Sequence, residues 1–256
     1  MLQLIFVLGV CSTYIYANIK ANTLPTGFWY VVLASSTSEY KKLIRDRVAL
    51  YLKDPSDKTI TSKAFDIQAM EKDPILLSFF NEVLRLKASV WSFRLVLEDA
   101  VLGSAGKEYF FPKGSTLWVP VTVVHRDEEV YKDALTFKPD RFLKVDHEKT
   151  DKGDDVEKLT RKVLFNKRGK QTRMGHLPFG GGKSMVCSFK RSELIRQCPG
   201  RNFARSIVLA YAATFLHFYD IELLGPLPSL RPSDRFGLGV ELPIESLPAR
   251  ISVRKL

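Results

Sequence analysis

The stretch Cys198-Pro199-Gly200-Arg201-Asn202-Phe203-Ala204 opens a long apolar helical pattern and decides how the rest of the chain is interpreted. A cysteine just before a helix meets unpaired backbone N–H groups and the positive end of the helix dipole, which stabilise its thiolate. A glycine loop at residues 178–182 lies upstream, and glycine lets a backbone approach a flat ligand closely. Such a thiolate can bind a metal, and haem iron is one standard case. A buried structural cysteine after a flexible loop is the alternative interpretation.

Length and composition set broad bounds on the chain. Its 256 residues suit one large domain or two small ones, and an apolar fraction of 45% allows a sizeable core. The three cysteines are too few for a disulfide framework, and their odd number favours reduced thiols.

The formal net charge is +11, and much of the excess falls within residues 158–173. A basic patch can attract nucleic acid, a membrane surface or an acidic protein. No zinc-ligand spacing or nucleic-acid motif accompanies the patch, so we expect no nucleic-acid partner. An acidic protein partner is the favoured functional interpretation, and a solvated basic loop is the alternative.

The N-terminal segment has an apolar run at residues 2–17 that resembles the core of a signal peptide. No Lys or Arg precedes the run, and it is short for a bilayer span of ~20 residues. The apolar pattern also continues past Ala17 to Leu33. We therefore predict one long buried helix over residues 1–35, broken near Pro25, because proline cannot donate to the carbonyl of Ala21.

A second helix is predicted over residues 73–87. Asp73 is placed to cap it, and Pro74 suits its first turn. Glu82 and Arg85 lie three positions apart and share one side of this helix. A surface ion pair is the usual interpretation of such spacing.

Short strands and one more long helix complete the predicted elements. Alternating patterns predict strands at residues 91–97 and 116–121, and a polar, charged excursion is predicted at residues 144–174. A final helix is predicted over residues 201–218, followed by a tail with short strands. The elements together predict a mainly α fold with small β-sheets.

Four motifs occur along the chain in a fixed order: Glu82-Val83-Leu84-Arg85, Phe137-Lys138-Pro139-Asp140-Arg141-Phe142, Phe179-Gly180-Gly181-Gly182 and Cys198-Pro199-Gly200-Arg201. Together they resemble the C-terminal half of a cytochrome P450. The resemblance covers essentially the whole chain. It implies the cytochrome P450 fold, C-terminal portion only, as a partial haem domain over residues 1–256.

The resemblance implies a set of cofactor-binding residues. Cys198 matches the proximal thiolate that binds the iron of haem b, the iron protoporphyrin IX. Phe179 matches the aromatic residue that packs beside this thiolate. Arg94 matches a position that often contacts a haem propionate. Arg201 is implied as a second contact, either with a propionate or with the cysteine loop.

The resemblance also implies a structural triad of Glu82, Arg85 and Arg141. In the family this triad is buried. A buried carboxylate and two guanidinium groups tolerate desolvation only when they pair with one another. His125, in the tripeptide His125-Arg126-Asp127, is interpreted as structural.

Two further stretches resemble the group of sterol 7α-hydroxylase, sterol 12α-hydroxylase and prostacyclin synthase. They are residues 21–29, in the distal helix, and residues 235–240. Most family members place an acid and a threonine at the distal kink to deliver protons, where this chain has Ala21 and Asn22. An asparagine cannot titrate. Proton delivery would then fall to water or to Thr23, so Asn22 and Thr23 are the predicted catalytic residues.

The implied function is that of a haem-thiolate monooxygenase fragment that oxidises a sterol or related lipid with O₂. Electrons would come from a flavin-containing P450 reductase. The implied location is the cytosolic face of the endoplasmic reticulum membrane, held by an N-terminal anchor that this chain lacks. Two alternatives stay open: a haem-thiolate isomerase of lipid endoperoxides, and a truncated or mis-spliced product without catalytic activity.

The cysteine loop, residues 178–204, departs from the family pattern F-x-x-G-x-x-x-C. Phe179 and Cys198 are nineteen positions apart, and removing residues 186–197 restores the pattern. Cys187 is a rival ligand by upstream spacing, but no Pro-Gly follows it. We favour Cys198. The insert begins with Val-Cys and ends with Gln, which GTATGT and CAG can encode, so a retained intron is our hypothesis for its origin.

Overall fold

The computed structural model describes residues 15–18, 25–56, 59–104, 106–149, 155–161, 165–167, 170–172, 175–180, 198, 200–227, 239–240 and 247–255. The helices in these ranges are α1 (Pro25–Ser35), α2 (Ser38–Ala49), α3 (Ile67–Met70), α4 (Pro74–Lys87), α5 (Val121–His125) and α6 (Arg201–Phe218). The strands are β1 (Ile15–Asn18), β2 (Trp91–Leu95), β3 (Ala100–Ser104), β4 (Lys107–Phe111), β5 (Thr116–Pro120), β6 (Leu143–Lys149), β7 (Asp155–Arg161), β8 (Phe165–Lys167), β9 (Lys170–Thr172), β10 (Tyr219–Leu223) and β11 (Pro248–Val253).

The strands form small antiparallel sheets around the helices. One sheet has three strands in the order β1-β11-β10, and the others are the pairs β2–β5, β3–β4, β6–β7 and β8–β9. This arrangement agrees with the predicted mainly α fold with small sheets.

The prediction of one helix over residues 1–35 is wrong at its middle. Residues 15–18 form β1, in which Ile15 lies opposite Ile251 of β11. β-branched and aromatic residues such as Ile15 and Tyr16 favour strands when a partner strand is available. Pro25 is the first residue of α1 rather than an internal break, which suits its fixed φ and missing N–H. The predicted kink beside Ala21 falls outside the described residues.

The helix predicted from Asp73 is confirmed as α4. The Asp73 carboxylate accepts the N–H groups of Ile75 at 2.8 Å and Leu76 at 3.0 Å, which closes the N-terminus of the helix. From Leu76 to Lys87 every residue of α4 is buried. The helix therefore runs through the interior, which explains why its charged side chains need partners.

The main hydrophobic core forms where α1, α4 and α6 pack together. Trp29 and Tyr30 of α1, Phe79 of α4 and Leu216 of α6 are essentially fully buried in it. Helix α6 has the predicted bounds, 201–218, and the chain leaves it directly into β10, which agrees with the short strands predicted after this helix.

Residues 144–174 are mostly exposed where the structure describes them, as predicted, but they form strands and include one buried aromatic side chain. Their described parts form the β6–β7 and β8–β9 pairs. Phe165 is 3% exposed and belongs to a second hydrophobic cluster with Tyr131, Ala134 and Phe142. An aromatic side chain in a polar stretch buries apolar area of its own, so it draws this segment onto the body of the protein.

Candidate functional site

An apolar cavity of about 380 Å³ lies between the main helices and the cysteine segment. A volume of this size is within the range of small-molecule and cofactor sites. Helices α1, α4 and α6 line it with Thr26, Phe80, Leu84, Ala204 and Val208. The cysteine segment contributes Pro178, Phe179, Gly180 and Cys198.

Cys198 lies three positions before the first residue of α6, Arg201. The Cys198 N–H donates to the Phe179 carbonyl at 2.9 Å, so the backbone of the two predicted residues is joined across the insert. The Cys198 carbonyl accepts the Arg201 N–H at 3.2 Å. Gly200 is the N-cap of α6 and has no side chain to accept a helical N–H group. The N-terminal N–H groups of α6 therefore keep their capacity to stabilise a negative charge near this end.

The cavity fits a haem better than a metal held by several side chains. Among the residues that the structure describes, no group of three or more His, Cys, Asp or Glu side chains is placed to hold a metal ion. An iron porphyrin needs only an axial ligand from the protein, and a cysteine thiolate is one of the standard ligands. The single thiol of Cys198 in an apolar wall matches that need, so the residues present fit the group.

The two predicted propionate contacts do not line this cavity. Arg94 lies exposed on β2, and its Nη1 donates to the carbonyl of Phe93 at 2.7 Å. Arg201 is half-buried, and its Nη1 lies 3.4 Å from the carbonyl of Cys198. A contact of Arg201 with the cysteine loop is thus present, while the propionate roles of both arginines stay predictions. Asn22, Thr23, Cys187 and the insert at residues 186–197 lie outside the described residues.

The structure brings the predicted triad together in the interior. Glu82 Oε2 accepts from Arg85 Nε at 2.7 Å, and Glu82 Oε1 accepts from Arg85 Nη2 at 2.8 Å and from Arg141 Nε at 3.1 Å. The Glu82 and Arg85 side chains are 0% exposed and that of Arg141 is 9% exposed. Spacing alone favoured a surface ion pair, and that interpretation is wrong, because α4 is covered on the side that bears both residues.

Tyr131 is a member of this site that the sequence analysis missed. Its ring lies beneath both guanidinium groups, at 4.9 Å from Arg85 Cζ and 5.7 Å from Arg141 Cζ. Its hydroxyl donates to the Gly175 carbonyl at 2.7 Å, and burial raises the pKa of Tyr131. Cation–π contacts of this kind are stronger when desolvated. No local pattern around Tyr131 predicts them.

His125 has a second role at the same place. Arg85 Nη1 donates to its carbonyl at 2.8 Å, and the His125 ring Nε2 accepts the Leu177 N–H at 2.9 Å. The ring is fully buried, and burial, with the positive charge of Arg85 adding to it, lowers the pKa of His125 to about 3. His125 is therefore a neutral, buried group, in agreement with its interpretation as structural.

The sequence of the chain is similar to those of known proteins. The family described as Cytochrome P450 matches residues 52–243. The chain is 33% identical over 229 residues to the 7-alpha-hydroxycholest-4-en-3-one 12-alpha-hydroxylase of Homo sapiens, covering 88% of this chain and 41% of that protein. It is 27% identical over 236 residues to the 25-hydroxycholesterol 7-alpha-hydroxylase of Rattus norvegicus, covering 91% of this chain and 51% of that protein. The chain thus spans about half the length, or less, of these curated relatives.

A solved structure supports the same fold. The structure titled "Retinoic acid bound cyanobacterial CYP120A1" superposes with a TM-score of 0.57, at 23% identity, over 90% of this chain and 42% of that one. Within the described residues, no helix combines the length and hydropathy that a bilayer crossing requires.

Proposed function

The chain belongs to the cytochrome P450 family, and we propose that it supplies the cysteine-bearing part of a haem-thiolate monooxygenase. Cys198 is the proposed iron ligand, and haem b is the proposed form of the cofactor. One observation carries the proposal: Cys198 stands at the start of α6 and in the wall of an apolar cavity. When bound there, haem b would supply an iron centre whose oxygen chemistry is favoured by electron donation from a thiolate.

The residues of this chain have separate tasks in the proposed site. The backbone hydrogen bond from the Cys198 N–H to the Phe179 carbonyl holds the sulfur at the cavity wall. The apolar lining, which includes Phe80, Leu84 and Val208, excludes water from the cofactor and substrate.

The remaining tasks rest on family resemblance. Arg94 and Arg201 are proposed to bind the propionates, whose negative charge a guanidinium group can pair with bidentately. Asn22 and Thr23 are proposed to order water and pass protons on the opposite side. Asn22 can orient a water molecule through both its donor and its acceptor but cannot itself change charge.

The proposed substrate is a sterol or a related lipid. The two curated relatives compared above are named as hydroxylases of sterol substrates, and the cavity lining is apolar, as such a substrate requires. The proposed electron donor is a flavin-containing P450 reductase, and the net charge of +11 favours a partner with an acidic surface. The proposed location is the cytosolic face of the endoplasmic reticulum membrane.

The direct test is the carbon monoxide difference spectrum of the reduced, haem-loaded protein. We expect the Soret band that distinguishes thiolate-ligated haem from imidazole-ligated haem. Cys198→Ser should abolish this band, because a hydroxyl is a poor substitute for a thiolate ligand. Cys187→Ser is the matched control and should keep the band. Loss in Cys187→Ser with retention in Cys198→Ser would assign the ligand to Cys187, and no band in the unmodified protein would contradict the proposal.

A further inference from the structure

We propose that His125 is a positioning residue for the cysteine ligand: its ring holds the loop segment before Phe179 and, through that segment, the backbone of Cys198. The proposal rests on the proposed function in one respect, namely that Cys198 is the ligand. The hydrogen bonds that carry it exist independently of any cofactor.

The first step is the bond between the His125 ring and the loop. His125 Nε2 accepts the Leu177 N–H at 2.9 Å, between residues 52 positions apart. An acceptor at Nε2 places the ring proton on Nδ1. Among the residues that the structure describes, no hydrogen-bond partner is found for Nδ1. The ring is thus held by stacking on the His176 ring and by its hydrogen bond to Leu177, and the hydrogen bond is the contact that depends on Nε2.

The second step runs from Leu177 to the cysteine. Leu177 is followed by Pro178, which has no N–H, so the Leu177 N–H is the last backbone donor before Phe179. The Leu177 carbonyl accepts the Gly180 N–H at 3.0 Å and closes a turn around Phe179. Gly180 has a φ of 78°, which glycine adopts without strain. The Phe179 carbonyl then accepts the Cys198 N–H at 2.9 Å.

The third step fixes His125 itself. Arg85 Nη1 donates to the His125 carbonyl at 2.8 Å, and the same guanidinium group is paired with Glu82. The buried triad thereby fixes the backbone of His125, and the ring of His125 fixes the loop. A continuous series of hydrogen bonds leads from the ion pair in α4 to the backbone of Cys198.

A neighbouring histidine serves the loop in a different way. The His176 ring stacks on the His125 ring with centroids 5.2 Å apart, and its Nε2 lies 3.1 Å from the main-chain carbonyl oxygen of Asn81. His176 thus fastens the residue before Leu177 to α4. It does not accept the Leu177 N–H, so the acceptor role belongs to His125.

The experiment separates loss of the hydrogen-bond acceptor at Nε2 from loss of the volume of the His125 ring. In His125→Gln the side-chain amide reaches the position of Nε2 and can accept the Leu177 N–H, whereas in His125→Asn the amide reaches only the position of Nδ1. His217→Gln is the control, because His217 is also buried but packs against Phe65 and Phe218, away from the loop. Hydrogen exchange of the Leu177 and Cys198 amides in haem-free protein is the primary measurement. The carbon monoxide difference spectrum of the haem-loaded protein is the second.

We expect His125→Asn to speed exchange at both amides by about tenfold, since one net hydrogen bond is lost, and to move part of the spectrum away from the thiolate form. His125→Gln and His217→Gln should keep both amides protected. Equal protection in His125→Asn and the unmodified protein would overturn the proposal. If His125→Asn does not fold, the folded His125→Gln protein decides: retained protection supports the proposal, and lost protection overturns it. Because exchange is read without haem, a protein that takes up no haem contradicts the proposed function alone.

Discussion

At the scale of single residues, Glu82 is the carboxylate on which two arginines converge. Its two oxygens accept from Arg85 and Arg141, and Oε1 also accepts the Lys138 N–H at 3.0 Å. A buried ion pair is weak evidence for net stability, but removing one charge from it leaves the others uncompensated. Loss of the Glu82 carboxylate would therefore leave two buried guanidinium groups without a counter-charge.

We expect Glu82→Gln to lower the free energy of unfolding by about 3–5 kcal/mol, because two buried guanidinium groups would lose their counter-charge. Urea unfolding followed by circular dichroism measures this difference. The control is Asp46→Asn, which removes an exposed partner of Lys42 within α2. That change should cost less than about 1 kcal/mol. Similar losses in the free energy of unfolding of Glu82→Gln and Asp46→Asn would show that Glu82 is not needed to balance the charges of the two arginines.

The lowered pKa of His125 predicts how the stability of the protein changes with pH. Its pKa is about 3 in the folded protein, against about 6.5 for an unperturbed histidine. The unfolded chain therefore binds more protons below pH 6.5, so stability falls as the pH drops from 6.5 toward 3 and is unaffected by this group above that window.

Between pH 7.5 and pH 5 this single group should cost about 2 kcal/mol of stability. Urea unfolding of the unmodified protein and of His125→Gln at both pH values measures it. The loss on acidification should be smaller by about that amount in His125→Gln, since glutamine does not titrate. An equal loss in both proteins would show that other groups cause the acid sensitivity. Burial also lowers the pKa of His217, in the same direction, and this residue is present in both proteins.

At the scale of elements, α4 links the core to the candidate site. Its N-terminus is closed by Asp73, whose side chain is fully buried and also accepts from Arg47 Nε at 2.9 Å and from the Tyr51 hydroxyl at 2.7 Å. It contributes Phe80 and Leu84 to the cavity, and its C-terminal half carries two of the three triad residues, Glu82 and Arg85. Removal of the Asp73 cap is thus expected to destabilise the whole of α4.

Asp73→Ala should lower the free energy of unfolding by about 3 kcal/mol, since the helix cap and a partly buried ion pair are lost together. Thr37→Ala is the matched control. Thr37 caps α2 by accepting the Tyr40 N–H at 3.1 Å at an exposed position. Loss of this cap should cost about 1 kcal/mol. Thermal unfolding of both variants compares them, and a Thr37 effect as large as that of Asp73 would contradict the argument.

At the scale of the whole molecule, the described residues contain two hydrophobic clusters. The larger one joins α1, α4 and α6, and the smaller one holds Tyr131, Ala134, Phe142 and Phe165. Tyr131 connects the small cluster to the triad through its contacts with both arginines. Packing of the small cluster therefore supports the site from the side opposite to the cavity-lining face of α4.

Phe165→Ala tests whether the small cluster supports the fold. The Phe165 ring packs against Tyr131 and Phe142, with ring centroids 5.3 and 5.7 Å apart. Its removal should cost about 3–5 kcal/mol if the cavity does not collapse. Phe110→Ala removes a side chain that is 62% exposed and is the control, with an expected cost below about 1 kcal/mol. Equal urea midpoints for Phe165→Ala and Phe110→Ala would mean that Phe165 contributes no more than an exposed residue, as the predicted exposed excursion implies.

Elements with local sequence signals could be predicted from the amino-acid sequence. An Asp-Pro start and an apolar face predicted α4, and an apolar repeat predicted α6 with its observed bounds, because capping and helical periodicity depend on residues within a few positions of one another. The order of four short motifs was sufficient for the family. The triad contacts that the family resemblance implied are present in the structure, and the ligand role of Cys198 stays a prediction.

Which side chains are buried, and which residues they contact, could not be predicted from the sequence and depends on how the elements pack. The pairing of Ile15 with Ile251, the burial of Phe165 and the bond from Leu177 to His125 join residues far apart in the chain. Burial of the Glu82–Arg85 pair has the same origin, since the spacing of the two residues is identical on an exposed helix. Local sequence patterns do not predict such contacts. The free energy of these contacts comes from surfaces that meet only after the chain has folded.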